Sequence, residues 1–219
     1  MKVHFITYSD ELYKDRQAML DAKAKNEFDE VHSYNRKWLI ETDFYKENKK
    51  ILDEKRGGGY WLWKPFIILE TFKKIDNGDA ILYIDCGDIF SNNVREFLAH
   101  YFQDNSSLLT IGGHPQKDYT KRDCFIKMGC DESKYHNFIQ LEAGIIGFKK
   151  TEEITNIIEE WLSYAKDENV ITDIPNILSD NYPGFVDHRH DQSIITNLAV
   201  KHNLNVNKLL RNYIKCNVK

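Results

Sequence analysis

The chain has 219 residues, 42% hydrophobic and 13% aromatic, with 4 Pro, 11 Gly and a formal net charge of -4, the makeup of a globular domain without low-complexity segments. That charge excludes a general nucleic-acid binder, which carries a basic surface to neutralise phosphates. No run approaches the ~20 apolar residues of a membrane helix, and the apolar run near Met1 is too short for a signal peptide. A single soluble, cytoplasmic domain over residues 1–219 is expected. Cys86, Cys124, Cys130 and Cys216 form no Cys-x-x-Cys pair, so free thiols in a reducing compartment are expected rather than zinc or disulfides.

Residues 2–8 alternate as a strand, Ser9-Asp10 turns, and Leu12, Arg16 and Met19 begin a polar helix. Glu30 to Tyr34 supply a short second strand, and the charged segment from Arg36 to Lys55 has helical character around Trp38, Leu39 and Ile51. Arg56-Gly57-Gly58-Gly59 breaks the chain. Pro65 suits the first turn of a helix carrying Phe66, Ile67, Leu69 and Phe72, and Asn77-Gly78-Asp79 turns it into the apolar strand Ala80 to Ile84. Ser91 is expected to cap a helix with Val94, Phe97, Leu98, Tyr101 and Phe102 on one stripe. Leu108 to Ile111 is the next strand, residues 112–139 are a long excursion with little periodicity, and Gly144 to Phe148 is another strand. Thr151 caps a helix whose apolar face runs from Ile154 to Ala165, and Asp191 is expected to cap a last core helix through Ile194, Ile195, Leu198 and Ala199. Alternating strands and helices predict a three-layer α/β domain.

Chemistry concentrates in four places. Asp85-Cys86-Gly87-Asp88 ends a buried strand in two carboxylates, at the sheet edge where α/β proteins place ligands; Mg²⁺ and Mn²⁺ take such oxygens together with phosphate, while the same residues also make an ordinary turn. At the helix entrance Gly59 to Pro65, Trp63 reads as core, and Lys64 reads equally as a phosphate contact or as half of an internal ion pair with an aspartate. The three glycines lack the spacing of a phosphate-binding loop and are either a hinge over a ligand or a plain loop. Gln140-Leu141-Glu142-Ala143-Gly144 sets a carboxylate and a small residue at a strand entrance. Asp187-His188-Arg189-His190-Asp191-Gln192-Ser193 is the densest ionisable cluster, with metal-ligating, basic and phosphate-holding side chains together.

In order, Ile6-Thr7-Tyr8-Ser9, Trp63-Lys64-Pro65, Tyr83-Ile84-Asp85-Cys86-Gly87, Glu142-Ala143-Gly144 and His190-Asp191-Gln192-Ser193 resemble small GT-A fold glycosyltransferases over nearly the whole chain. These are the nucleotide-sugar transferases of polysaccharide and glycan synthesis in bacteria and large viruses. The resemblance implies a three-layer α/β/α sandwich with a mixed, mostly parallel sheet, a UDP-sugar donor, a glycan or polysaccharide acceptor, and Mn²⁺ or Mg²⁺. It assigns Thr7 and Tyr8 to the base and ribose, and Lys64, Asp85, Cys86, Gly87, Arg189 and Gln192 to the donor pocket. Asp85 matches the first aspartate of the family's Asp-x-Asp motif; Gly87 stands at the second, with Asp88 one position late. Asp85, Asp88 and His190 are the implied metal ligands. For an inverting reaction Asp191 is the first candidate for general base and Glu142 the second. The rivals are an inactive nucleotide-sugar or glycan-binding module and a nucleotidyltransferase on a similar sheet.

Overall fold

The computed structural model describes residues 1–216. β1 (Val3–Ser9) leads to α1 (Lys14–Ala24), β2 (Glu30–Asn35) and four short helices, α2 (Arg36–Ile40), α3 (Asp43–Glu47), α4 (Lys49–Leu52) and α5 (Gly57–Tyr60), ahead of α6 (Trp63–Phe72). β3 (Ala80–Ile84) and β4 (Asp88–Phe90) flank the Asp85 turn, followed by α7 (Val94–Tyr101), β5 (Ser107–Pro115), α8 (Arg122–Lys127), α9 (Ser133–His136) and β6 (Ile139–Lys149). Then come α10 (Glu152–Ala165), α11 (Glu168–Ile171), α12 (His190–Lys201), β7 (Val206–Asn207) and β8 (Ile214–Cys216). Among the described residues no helix is long and apolar enough to cross a membrane.

The central sheet has the order β2-β1-β3-β6-β5-β7. β6 runs against β3 and β5, and the other pairings are parallel, so the sheet is mixed and mostly parallel as expected. Period-two alternation sends Val3 and Phe5, with Leu82 and Ile84, to one face, where they pack on Leu20 of α1 and Leu98 of α7. Ile6 and Tyr8, with Ile81 and Tyr83, go to the other face, against α6, α10 and α12. Helices on both faces make the three layers. β4 leaves the sheet to pair antiparallel with β8.

Local chemistry explains most boundaries. Thr151 accepts a hydrogen bond from the Ile154 amide, as its position before an apolar stripe predicts, and Asn35 and Thr42 cap α2 and α3 in the same way. Two expected caps are corrected. Ser91 does not cap α7: its amide donates to the Tyr213 carbonyl at 2.7 Å, and Asn93, at φ 73°, stands at the cap position without a side-chain bond. Asp191 lies inside the first turn of α12, where Lys64 takes its carboxylate and Arg189 holds the cap position. The stretch 112–139 is largely ordered, ending β5 and forming α8 and α9. Within it the buried Asp123 accepts from the Ile177 and Leu178 amides and ties down the segment before α12.

Candidate active site

The site grows from the carboxyl end of β3. β3 delivers Asp85 to the sheet edge, where the Asp85 amide donates to the Gly144 carbonyl at 2.8 Å. The β5–β6 register jumps from Leu109↔Ile146 to Thr110↔Glu142, so β6 bulges across Ala143 and Gly144. The bulge turns both carbonyls toward the site, one onto Asp85 and the other onto Lys64, whose ammonium donates to Ala143 at 2.9 Å. A side chain at Gly144 would displace the Asp85 carboxylate, since a Cβ would stand 2.8 Å from Asp85 Oδ2. Tyr83 donates its hydroxyl to Asp85 Oδ1, and burial raises that phenol well above its ordinary pKa, so it remains a donor.

Lys64 is the centre of the arrangement. Its side chain is 2% exposed, with Nζ 2.8 Å from Asp191 Oδ2 and 3.8 Å from Asp85 Oδ1. Burial pulls the ammonium toward neutrality, but Asp191 and Asp85 together outweigh it and raise its pKa, so it stays charged. Burial pushes the Asp191 carboxyl up to about 6 against the pull of Lys64. At neutral pH the pair is therefore ionised. Lys64 is thus an internal ion-pair partner, while Asp85, 42% exposed, faces outward beside it.

The other residues named from the sequence fall into three groups. Near the centre, Gln192 accepts from the Ala143 amide at 3.4 Å and donates to Gln140, bracing the bulge. Cys86 donates its thiol to the Tyr8 carbonyl at 3.1 Å, joining the Asp85 turn to the end of β1, and burial pushes that thiol up to about 12. Gly87 continues the turn into Asp88. Burial pushes the Asp88 carboxyl up to about 6, with Arg211 opposing and Asp85 adding to the shift. Glu142 is held by Arg211, a residue sequence reading did not single out; nothing in its local pattern marks it, because its place depends on the late strand β8.

At the end of β1, Tyr8 stacks on Trp63 with ring centroids 3.8 Å apart, which seats Trp63 in the core as expected. The Tyr8 hydroxyl is buried without a hydrogen-bond partner, and burial pushes it up to about 12. Thr7 is turned into a buried network, donating to Asp21 and accepting from Gln17.

The Asp187–Ser193 cluster splays in several directions. Asp187 pairs with Arg56 at 2.6 Å, His188 donates to the Val170 carbonyl at 2.8 Å, and Arg189 is exposed over the Tyr119 ring. His190, at φ 50°, donates from Nδ1 to the Ile171 carbonyl at 2.7 Å and packs on the Tyr60 and Trp61 rings. Its Nε2 has no hydrogen-bond partner, with Asp173 at 3.7 Å, and burial lowers the ring's pKa to about 4. Asp85, Asp88 and His190 do not gather around one point; among the described residues the group that does so is His4, Glu30 and His32. The triple glycine opens a left-handed turn, with positive φ from Gly57 through Trp61. Gly59 is obligatory there, because a Cβ would meet Leu52 Cα at 2.6 Å.

No family model and no curated protein matches the sequence. Solved structures do. The apo structure of WbbM, a bifunctional glycosyltransferase, superposes with a TM-score of 0.53 at 12% identity, covering 95% of this chain. The chain has the GT-A glycosyltransferase fold. It spans 39% of WbbM. Mouse xyloside xylosyltransferase 1 superposes at 0.49 with 11% identity, over 95% of this chain and 85% of that one. The galactosyltransferase LgtC does so at 0.46 with 13% identity, over 89% and 70%. In this GT-A fold chain, Asp85 stands after a central strand and Lys64 lies beneath it.

Proposed function

We propose that the chain is a metal-dependent glycosyltransferase that moves a hexose or deoxyhexose from a UDP-sugar to a hydroxyl of a glycan acceptor. What carries this is Asp85, outward-facing at the carboxyl edge of the sheet, backed by the buried Lys64–Asp191 pair and floored by the side-chain-free Gly144. The GT-A fold supports the same class of chemistry by analogy.

The donor set suits Mn²⁺ or Mg²⁺. Such ions keep several waters and take one or two carboxylates together with substrate phosphate oxygens, so Asp85 suffices as the principal protein ligand. Asp88, its carboxyl pushed up to about 6, is available as a second ligand above that pH. The ion would offset charge on the diphosphate leaving group.

Lys64 adds a fixed positive charge behind Asp85. In a dry interior its field is little screened, so it favours the state in which the leaving diphosphate gains charge. Asp191 positions that ammonium. Arg189, exposed at the start of α12, would meet phosphate from the solvent side, and Tyr8 at the end of β1 would lie toward the base and ribose, whereas Thr7, buried and bonded to Asp21 and Gln17, would support β1 rather than touch the nucleotide. For an inverting reaction a carboxylate must take the acceptor proton. Asp191 is 5% exposed at its side chain and committed to Lys64; Glu142, 29% exposed, is the carboxylate an acceptor can reach once Arg211 yields.

The test is calorimetric titration of UDP with Mn²⁺ and with chelator, on the native chain and Asp85→Ala, followed by a panel of UDP-hexoses assayed for transfer. Binding that requires both the metal and Asp85, with turnover of one donor, supports the reading. Binding without turnover of any donor would identify a sugar-nucleotide binding module, and no binding in either condition would sink the proposal.

A further inference from the structure

We propose that His4, Glu30 and His32 bind one zinc ion at the edge of the sheet opposite Asp85. The parallel register of β1 and β2 pairs His4 with Glu30 and Ile6 with His32. Because side chains alternate with period two, His4, Glu30 and His32 share a face, near the amino-terminal end of both strands. Tyr8, near the other end of β1, is roughly 13 Å away along the strand at about 3.3 Å per residue. The two sites are separate.

The atoms are spaced as ligands of one ion. His4 Nδ1 and His32 Nε2 are 3.1 Å apart, and Glu30 Oε2 stands 3.8 Å from the first and 4.0 Å from the second. Tetrahedral zinc with bonds of about 2.0–2.1 Å places its ligand atoms roughly 3.3–3.4 Å from each other. Only the carboxylate has to move, by about half an ångström. It is free to do so, with its side chain 48% exposed, while the imidazoles are fixed at 2% and 12%. Glu30 Oε1 is taken by Lys2 at 3.1 Å, which leaves Oε2 for the metal.

A supporting layer is present. Asp79 Oδ2 lies 3.4 Å from His4 Nε2, and the Lys2 amide anchors Asp79 Oδ1 at 2.7 Å. With its Nε2 proton given to Asp79, His4 turns the Nδ1 lone pair toward His32, the carboxylate–histidine arrangement that orients metal-bound imidazoles. Two imidazoles and one carboxylate favour zinc over Mg²⁺ or Ca²⁺, and the fourth position is open to water from the Glu30 side.

Zinc is titrated by calorimetry into the untagged full chain, and Co²⁺ is used as a visible-absorption probe of tetrahedral geometry. One equivalent should bind, Glu30→Gln and His32→Gln should each weaken binding by tenfold or more, and Cys216→Ser, which removes the exposed thiol, should leave it unchanged. Glu30 is exposed, so Glu30→Gln keeps the fold and carries the test if His32→Gln does not. Absence of zinc binding to the native chain, or one-equivalent binding that survives both substitutions, would overturn the proposal.

Discussion

Replacing Lys64 with Met isolates the central ion pair. The methionine fills most of the same space, but Asp191 is left as a buried carboxylate without its partner at 2.8 Å, and the Ala143 carbonyl loses its donor. Removing one member of a buried pair costs about 3–5 kcal/mol. At roughly 2–4 °C per kcal/mol for a domain of this size, the midpoint should fall by about 6–20 °C. The loss must depend on pH in a defined direction. Burial already raises the Asp191 carboxyl to about 6, with Lys64 opposing, so removing Lys64 raises it further. A carboxyl with a raised folded pKa binds more protons folded than unfolded, so stability falls as pH rises through the window between the ordinary aspartate value and the raised one. Lys64→Met should therefore be least harmful near pH 5 and most harmful near pH 8. Adding Asp191→Leu should recover most of the loss, because an apolar pair of similar volume is about as stable as a buried ion pair. Urea unfolding of the four proteins of this cycle, followed by tryptophan fluorescence at pH 5 and 8, measures the free energies, and thermal melts of the same proteins measure the midpoints. A single-variant loss below about 1 kcal/mol, or an equal loss at both pH values, would refute the reasoning.

Gly144→Ala should leave the unfolding midpoint within a few degrees, because the atom it meets is the end of a half-exposed side chain, yet weaken metal-dependent UDP binding tenfold or more by displacing Asp85; unchanged calorimetric affinity would count against Asp85 as the ligand. Asp88→Asn should stabilise the fold at pH 8 by on the order of 1–2 kcal/mol and lose that advantage as pH falls through the window from about 6 to the ordinary aspartate value, since its raised carboxyl is costly only when ionised; urea curves at pH 8 and below that window decide this. One thiol, Cys216, should react quickly with a disulfide reagent in the native protein, because Cys86, Cys124 and Cys130 are buried and burial raises each of their thiols. Four fast equivalents would contradict the packing.

Legibility in the sequence tracks how local the deciding interaction is. β3 and α10 can be read because five apolar residues in a row, or an apolar stripe behind a threonine cap, leave few alternatives. The direction of β6 cannot, since period-two burial is identical for either direction. Its bulge is equally hidden: Gly144 marks a close approach, but only the register with β5 turns the Ala143 carbonyl onto Lys64. Asp191 looks like a cap because it precedes an apolar stripe, and a lysine far away in sequence outcompetes the local amide for its carboxylate. His4 and the Glu30-Val31-His32 segment carry no spacing signal of their own, because parallel pairing brings them together. Asp85 and Lys64 were legible as chemistry; that they share one hydrogen-bonded unit with Asp191 was not.

Among the described residues β8 follows every other element in chain order, yet it pairs with β4, which begins at Asp88, three positions after Asp85 in the same turn. Arg211, just ahead of β8, holds Glu142. A chain emerging from the ribosome can therefore assemble β1 to β6 and bury its core while the turn that carries Asp85 still has one side open. On this topology a ribosome-bound nascent chain that has not yet released β8 would hold its core before the β4 side of the Asp85 turn is closed and before Glu142 gains Arg211.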